Sequence, residues 1–255
     1  MSAISLNERQ QSQIMVFLRS CNGIYVGNEE KTLRFIMAIL WIVRSGAQWE
    51  LLPASYGNWN SVYKRFARWC KRDIFTQMHV HFAADPDLEC LLIDSTIIRA
   101  HPCAAGAPAS TAVEVEPTQA LGRSRGGFST KIHMVVDALG NPLDFVLTAG
   151  QAHDVTQAPT LLQGRRTDYV IADKGYDSAA LLELIEQMGA IPVIPARKNR
   201  TEPRPIDTHL YKERHLIECF INKIKWYRRI FARFDKLDKH FLGFLSFVSA
   251  LIWLR

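Results

Sequence analysis

The sequence predicts a mixed α/β sheet with helices on its faces, preceded by a small all-helical segment. Residues 30–72 carry apolar side chains at three- and four-residue spacing. From residue 88 the text changes to β-branched and alternating runs, and beyond residue 154 helical and strand patterns alternate. The 255 residues, 48% apolar and 22% charged, leave ample chain for a buried core and exclude disordered, collagen-like and mini-protein classes.

Residues 30–46 read as a helix that is amphipathic to fully apolar and stops at Ser45-Gly46. After the turn QWELLPASYG, Asn58 or Asn60 can cap a helix in which Trp59, Val62, Tyr63, Phe66 and Trp69 or Cys70 repeat on one side. The pair reads as helix, turn and helix, and the aromatic stripe as core. AADPD at residues 83–87 marks a boundary between domains 1–86 and 87–255. Leu88 to Arg99, Thr130 to Val136 and Leu143 to Leu147 read as strands, the last two joined by the hairpin turn DALGNP. Asp154 can cap a helix running to about Gln163, and Tyr169 to Ala172 is a short buried strand. A helix with Leu181, Leu182, Leu184, Ile185 and Met188 on one side ends at Gly189. Ile191 to Ile194 is a strand that Pro192, lacking a ladder donor, consigns to a sheet edge. A long basic helix at about 211–233 and an apolar helix from Phe241 close the chain. Residues 101–127, rich in Ala, Gly, Pro, Ser and Thr, are expected to form a mobile loop.

The apolar runs Phe35 to Val43 and Phe241 to Leu254 fall short of the roughly 20 residues a bilayer requires. Glu8 and Arg9 stand where a signal peptide needs an apolar stretch, so the protein is expected in the cytosol. Five scattered cysteines without C-x-x-C argue against a disulfide framework and a zinc ribbon. No G-x-G-x-x-G follows a strand, which sets aside a Rossmann-type oxidoreductase.

The formal charge is +6, and its distribution says more than its size. Residues 195–240 hold thirteen Lys or Arg against six Asp or Glu, an excess larger than that of the whole chain. Lys64, Arg65, Arg68, Lys71 and Arg72 form a second cluster. One such cluster is as well explained by a solvated helix face; two on separate elements point to a polyanion.

Asp94 falls inside the most apolar strand, where a charge is costly unless something pairs with it, and Asp173 ends the strand YVIAD. On parallel neighbours about 4.8 Å apart both carboxylates can face one point, and a cation between them would relieve their repulsion. Mg²⁺ suits so sparse a carboxylate set because water and substrate phosphate complete its shell. Asp137, Asp154 and Asp177 read as turn or cap residues. His101, His133 and His153 lack helical H-x-x-x-H spacing and read as surface groups or supports behind ligands, not as zinc ligands. On one continuous helix Tyr211, Arg214 and Lys225 would lie within about 40° of Glu218. A carboxylate so flanked suits a metal ligand with DNA-phosphate contacts on either side, although for Arg214 and Glu218 alone a surface i,i+4 ion pair is the simpler account.

Tyr211, Arg214, Glu218 and Lys225 fit Y-x(2)-R-x(3)-E-x(6)-K without a gap. With LLIDSTIIRAH, GRSRGGFSTKIHMVVDALGNPL and IADKGYDS, and with GAQWELLPASYGNWNSVYKRFARW near the start, the chain from about residue 30 onward resembles the DDE transposases of bacterial insertion sequences. It is most similar to their insertion-sequence-five-like branch with the YREK signature. The resemblance implies an RNase H-like five-stranded sheet with Asp94 on its first strand, Asp173 after its fourth and Glu218 on a later helix as catalytic and metal-binding carboxylates. Only about fifteen residues separate Ile194 from Tyr211, so the large insertion some relatives carry there is absent.

The resemblance further implies two Mg²⁺ ions about 3.5 to 4 Å apart, with Mn²⁺ able to substitute. Water would first free a 3′-hydroxyl at each inverted-repeat end, and that hydroxyl would then attack target DNA. Tyr211, Arg214 and Lys225 are expected to hold DNA, with Arg123, Arg125 and Lys131 as further contacts and Lys64, Arg65 and Arg68 in the helical end-binding region. The implied partners are double-stranded terminal repeats and target DNA, and a second copy in a homodimeric synaptic complex, in the bacterial cytoplasm at the nucleoid and away from membranes. A metal-dependent nuclease on the same fold without strand transfer, and a catalytically silent DNA-binding descendant, are the rival classes.

Overall fold

The computed structural model describes residues 5–22, 24–106, 119–124, 126–198 and 205–255. In chain order the helices α1 (Glu8–Ser20), α2 (Glu29–Ser45), α3 (Trp59–Lys71) and α4 (Ile74–Phe82) come first. The strands β1 (Cys90–Ala100), β2 (Gly122–Ser124), β3 (Gly127–Val136) and β4 (Pro142–Ala149) follow. Then come α5 (Ala158–Leu162), β5 (Tyr169–Ile171), α6 (Ala179–Gln187), β6 (Ile191–Val193), α7 (Thr208–Lys212), α8 (His215–Lys225), α9 (Arg228–Phe231) and α10 (Asp238–Trp253). The chain divides into two compact units, residues 1–84 with 224–255, and residues 85–223.

The helical unit is built on aromatic packing. Asn58 accepts from the Asn60 and Ser61 N–H groups and starts α3, whose Val62, Phe66, Trp69 and Cys70 are buried. Phe66 stacks on Phe244 of α10 at 4.4 Å between ring centres and meets Phe75 of α4 at 5.6 Å. The sequence expects residues 224–255 in one domain with the sheet, yet α10 is buried almost all round by helices of the first unit. An apolar surface on every side must be covered, and the aromatic side chains of α3 and α4 supply the cover. Among the described residues no helix is long and apolar enough to cross a membrane.

In the second unit the sheet runs β2-β3-β1-β5-β6, with β4 also paired to β3. β1, β3 and β4 are antiparallel neighbours, whereas β5 and β6 join parallel to β1. Taken as β4-β3-β1-β5-β6, this is the RNase H-like mixed sheet. Pro192 sits on the terminal strand β6, opposite Val170. Asp137 closes the β3–β4 hairpin as expected, its Oδ1 accepting from the Leu139 and Asn141 N–H groups at 3.0 and 2.7 Å.

Two expectations change. The basic helix expected at 211–233 is three pieces, α7, α8 and α9, so Tyr211 and Glu218 do not share a helix. The helix expected at 154–163 is a 3₁₀ turn, Asp154–Gln157, followed by the single turn of α5, and the N-cap is His153, not Asp154. Its carboxylate is taken by Lys131 and Ser95 instead. Of the expected loop at 101–127, residues 107–118 and Arg125 lie outside the described residues.

Candidate active site

β1 pairs parallel with β5, Leu92 opposite Ile171. Two residues further along each chain stand Asp94, midway along β1, and Asp173, just past the end of β5, so a continued register and the alternation of side chains bring both carboxylates to one face of the sheet. Asp173 also opens the next turn, its Oδ1 accepting the Gly175 N–H at 2.8 Å. The Asp94 Oδ1 accepts the Ser95 N–H at 2.7 Å. Burial pushes the Asp94 carboxyl up to about 6 against the pull of that N–H and of Arg214, and the charges of Asp173 and Asp154 add to the rise.

α8 brings the third carboxylate. Ile217 and Phe220 are buried, and Phe220 stacks on Phe145 of β4 at 6.0 Å, which seats the helix on the Asp94 face of the sheet. Glu218 stands half-exposed on this helix. Arg214, in the turn before α8, reaches both acids: Nη1 lies 3.5 Å from Asp94 Oδ2, and Nη2 pairs with Glu218 Oε1. The break between α7 and α8 thus leaves Arg214 beside both carboxylates. Asp94 and Asp173 are oxygen donors whose like charges favour a hard divalent cation between them, and they fit such an ion. Glu218 is engaged by Arg214, and among the described residues no three acidic, His or Cys side chains already converge as a metal cage.

The expected DNA contacts separate. Tyr211 on α7 and Lys225, the last residue of α8, are each half-buried. Arg123 is exposed, its guanidinium 4.9 Å from the Phe128 ring centre, and Arg125 lies outside the described residues. Lys131 differs from expectation: it is 7% exposed, and its Nζ donates to Asp154 Oδ1 and to the Ala152 carbonyl, both at 2.6 Å. A phosphate cannot reach an ammonium so enclosed. In the helical unit Lys64 and Arg68 are exposed. Arg65 is instead spent internally, stacked 4.4 Å from the Phe35 ring and 5.1 Å from the Trp69 ring and donating to Thr32 Oγ1 at 3.1 Å. Arg68 lines a cleft with Lys31, Arg72, Tyr25 and Trp69, and the half-buried Arg65 also borders it. Arg72 belongs to the basic cluster already visible in the sequence, whereas Lys31 and Tyr25 join it only through their place in the fold.

Residues 85–252 match the transposase DDE domain family, and residues 10–79 match a transposase family of the IS4/5 type. Over 129 residues the chain is 45% identical to a Brucella ovis protein assigned as the transposase of insertion sequence element IS6501, covering 50% of this chain and 99% of that one. Over 142 residues it is 32% identical to the Burkholderia cepacia counterpart of element IS402, covering 51% of this chain and 64% of that one. Among solved structures it is similar to the piggyBac transposase synaptic complex with hairpin DNA, at 15% identity and a TM-score of 0.40 over 77% of this chain and 48% of that one. It is also similar to the Mos1 mariner paired end complex with Mn, at 13% identity and a TM-score of 0.27 over 95% of this chain and 68% of that one. The DDE family match runs through both strand aspartates and Glu218, and with it the chain belongs to the DDE transposases, in their IS4/5 group.

Proposed function

We propose that this insertion-sequence transposase cuts DNA hydrolytically at the inverted-repeat ends of its element and joins the freed 3′-hydroxyls to target DNA. The observation that carries the proposal is that Asp94 in β1 and Asp173 just after β5 each stand two residues beyond the paired Leu92 and Ile171, with Glu218 on the helix packed over that face. These three carboxylates would hold the divalent ions, Mg²⁺ in the cell and Mn²⁺ as a substitute, with Glu218 exchanging Arg214 for the metal. When bound, such ions supply Lewis-acid activation of the attacking oxygen and charge stabilisation of the leaving one.

The chain's own groups do the rest. Arg214, released by Glu218, has a guanidinium suited to a bidentate grip on the phosphate beside the scissile bond. Tyr211 and Lys225 hold the backbone on either side, and no covalent protein–DNA bond is needed, since water and then the 3′-hydroxyl are the nucleophiles. Lys64, Arg68 and the cleft with Lys31 and Arg72 grip the terminal repeat, and Arg123 contacts DNA from the sheet unit. Two ends must be cut together, so the working form is a homodimer on DNA in the bacterial cytoplasm.

The test is incubation with Mg²⁺ and a plasmid carrying the DNA that flanks the gene, beside Asp173→Asn and an EDTA control. Cuts at those ends with 3′-hydroxyls and joined products, absent from both controls while Asp173→Asn still binds the ends, are the expected result. Nicking without joining would make the protein a nuclease, binding without cutting a silent descendant, and cleavage by Asp173→Asn at the parental rate would remove Asp173 from the site.

A further inference from the structure

Behind Asp94 the sheet holds a polar cluster that this chemistry leaves unused. Lys131 is an expensive residue to bury unless its ammonium is paired. Its partner Asp154 Oδ1, 2.6 Å from Nζ, also accepts the Ser95 hydroxyl at 2.6 Å. Across the sheet Ser95 stands opposite His133, fully buried, whose Nε2 lies 2.8 Å from Thr148 Oγ1. Side chains alternate along β1, so Ser95 points to the face opposite Asp94, while its own N–H is the donor to Asp94 Oδ1. A continuous line therefore runs from ammonium to carboxylate to hydroxyl to backbone N–H to the Asp94 carboxylate. Tyr176, three residues beyond Asp173, is buried near the same group, where burial and the charges of Asp94, Asp154 and Asp173 keep its phenol protonated.

The N-cap position of that turn is taken by His153, and the bonds that the Asp154 carboxylate accepts come from Lys131 and Ser95. We propose that Asp154 is a positioning residue: it fixes Ser95, through the Ser95 N–H it fixes the orientation of Asp94, and Lys131 is the buried counter-ion that holds Asp154 in place. This inference rests on the assignment of Asp94 to the reacting centre. Groups that orient a metal-ligating carboxylate from behind commonly govern affinity or rate by about ten- to a hundredfold.

The test compares the full chain with Ser95→Ala, Ser95→Thr, Asp154→Asn and Asp94→Asn in three measurements. These are the rate of end cleavage at rising Mg²⁺, hydrogen–deuterium exchange of the peptide covering residues 90–98, and the melting temperature without metal. Ser95→Ala should lose about tenfold or more in cleavage rate. It should also need several-fold more Mg²⁺ for half its maximal rate and exchange faster in that peptide, with melting temperature and DNA affinity kept. Ser95→Thr, which retains the hydroxyl, should recover most of the rate, and Asp154→Asn should match Ser95→Ala in rate and exchange while also melting lower, because it leaves the Lys131 ammonium unpaired. The proposal is overturned by a Ser95→Ala protein with parental rate and Mg²⁺ dependence. It is equally overturned if the lost rate tracks a lowered melting temperature that threonine does not restore, because the cluster would then serve the sheet alone. Cleavage by Asp94→Asn would instead overturn the assignment of the reacting centre, an outcome that the local exchange data distinguish from failure of the positioning line.

Discussion

His133 shows what a buried titratable side chain does to the sheet. It is fully enclosed, with Lys131 and Asp154 as its charged neighbours, and burial followed by the Lys131 charge pushes its pKa down to about 4. A depressed value means that the native state gains stability from neutral His133 above the usual histidine value of about 6.5, and loses it as pH falls through about 4. A shift of this size is worth about 3 kcal/mol. Substituting His133→Gln keeps a polar partner for Thr148 without the proton, and urea titrations between pH 7 and 4 should show a flatter fall in stability than the parent. Asp94, pushed up to about 6, acts with the opposite sign in part of this window, but it is common to both proteins and cancels in their difference. An unchanged fall would assign the acid sensitivity to His240, which burial also holds low. Asp94 was legible in the sequence because a carboxylate interrupts an apolar strand. Asp154 was not: its place at the start of a helical pattern imitates a cap, and its partners lie 23 and 59 residues away. Lys131 heads the run KIHMVV after Ser129-Thr130 and does not interrupt it, so the sequence carried no comparable signal for its burial.

At the scale of elements, local chemistry was read best where it is self-contained. α2 ends as its Ser-Gly pair foretells, with Gly46 at φ +68° and its N–H donating to the Ile42 carbonyl. Gly46→Ala would place a Cβ 2.9 Å from Arg228 Cβ in a backbone conformation that L side chains avoid. We expect it to cost about 1–2 kcal/mol, seen as a lowered urea midpoint with an unchanged denaturant slope. α1 carries a readable start, the Asn7 and Gln10 capping box, and α4 carries none, since Asp73 makes no side-chain cap bond; both helices fall outside the expected elements. The three-way break of the 211–233 segment has no Gly or Pro to announce it. What holds Arg214 in the turn is its pair of acidic partners, one of them on β1, and periodicity within a helix cannot report a partner 120 residues away. The relation of Arg214 to Glu218 survives the break because it spans a single turn.

Over the whole molecule the basic excess matters only where it is accessible, and the structure sorts arginines that the sequence treats alike. Arg65 and Arg68 are three residues apart on α3. Both line the cleft with Lys31 and Arg72, but the first is half-buried, stacked on Phe35 and Trp69 and bonded to Thr32, whereas the second stands exposed. Polyanion binding by a chain of net charge +6 releases counterions, so each phosphate contact contributes about 0.9 to the slope of log affinity against log salt. Arg68→Ala should therefore lower that slope by about one on duplex carrying the element's end, with no change in melting temperature. Lys225→Ala should do the same from the other end of the chain. Arg65→Ala should do the reverse, keeping the slope while losing about 1–2 kcal/mol of stability from its ring contacts and hydrogen bond. Fluorescence anisotropy across a salt series, paired with thermal melts of the three variants, separates the two behaviours. If Arg65→Ala flattened the slope and Arg68→Ala did not, the phosphate contact in the cleft would belong to Arg65, which lines it beside Arg68, and its ring stacking would serve to aim the guanidinium.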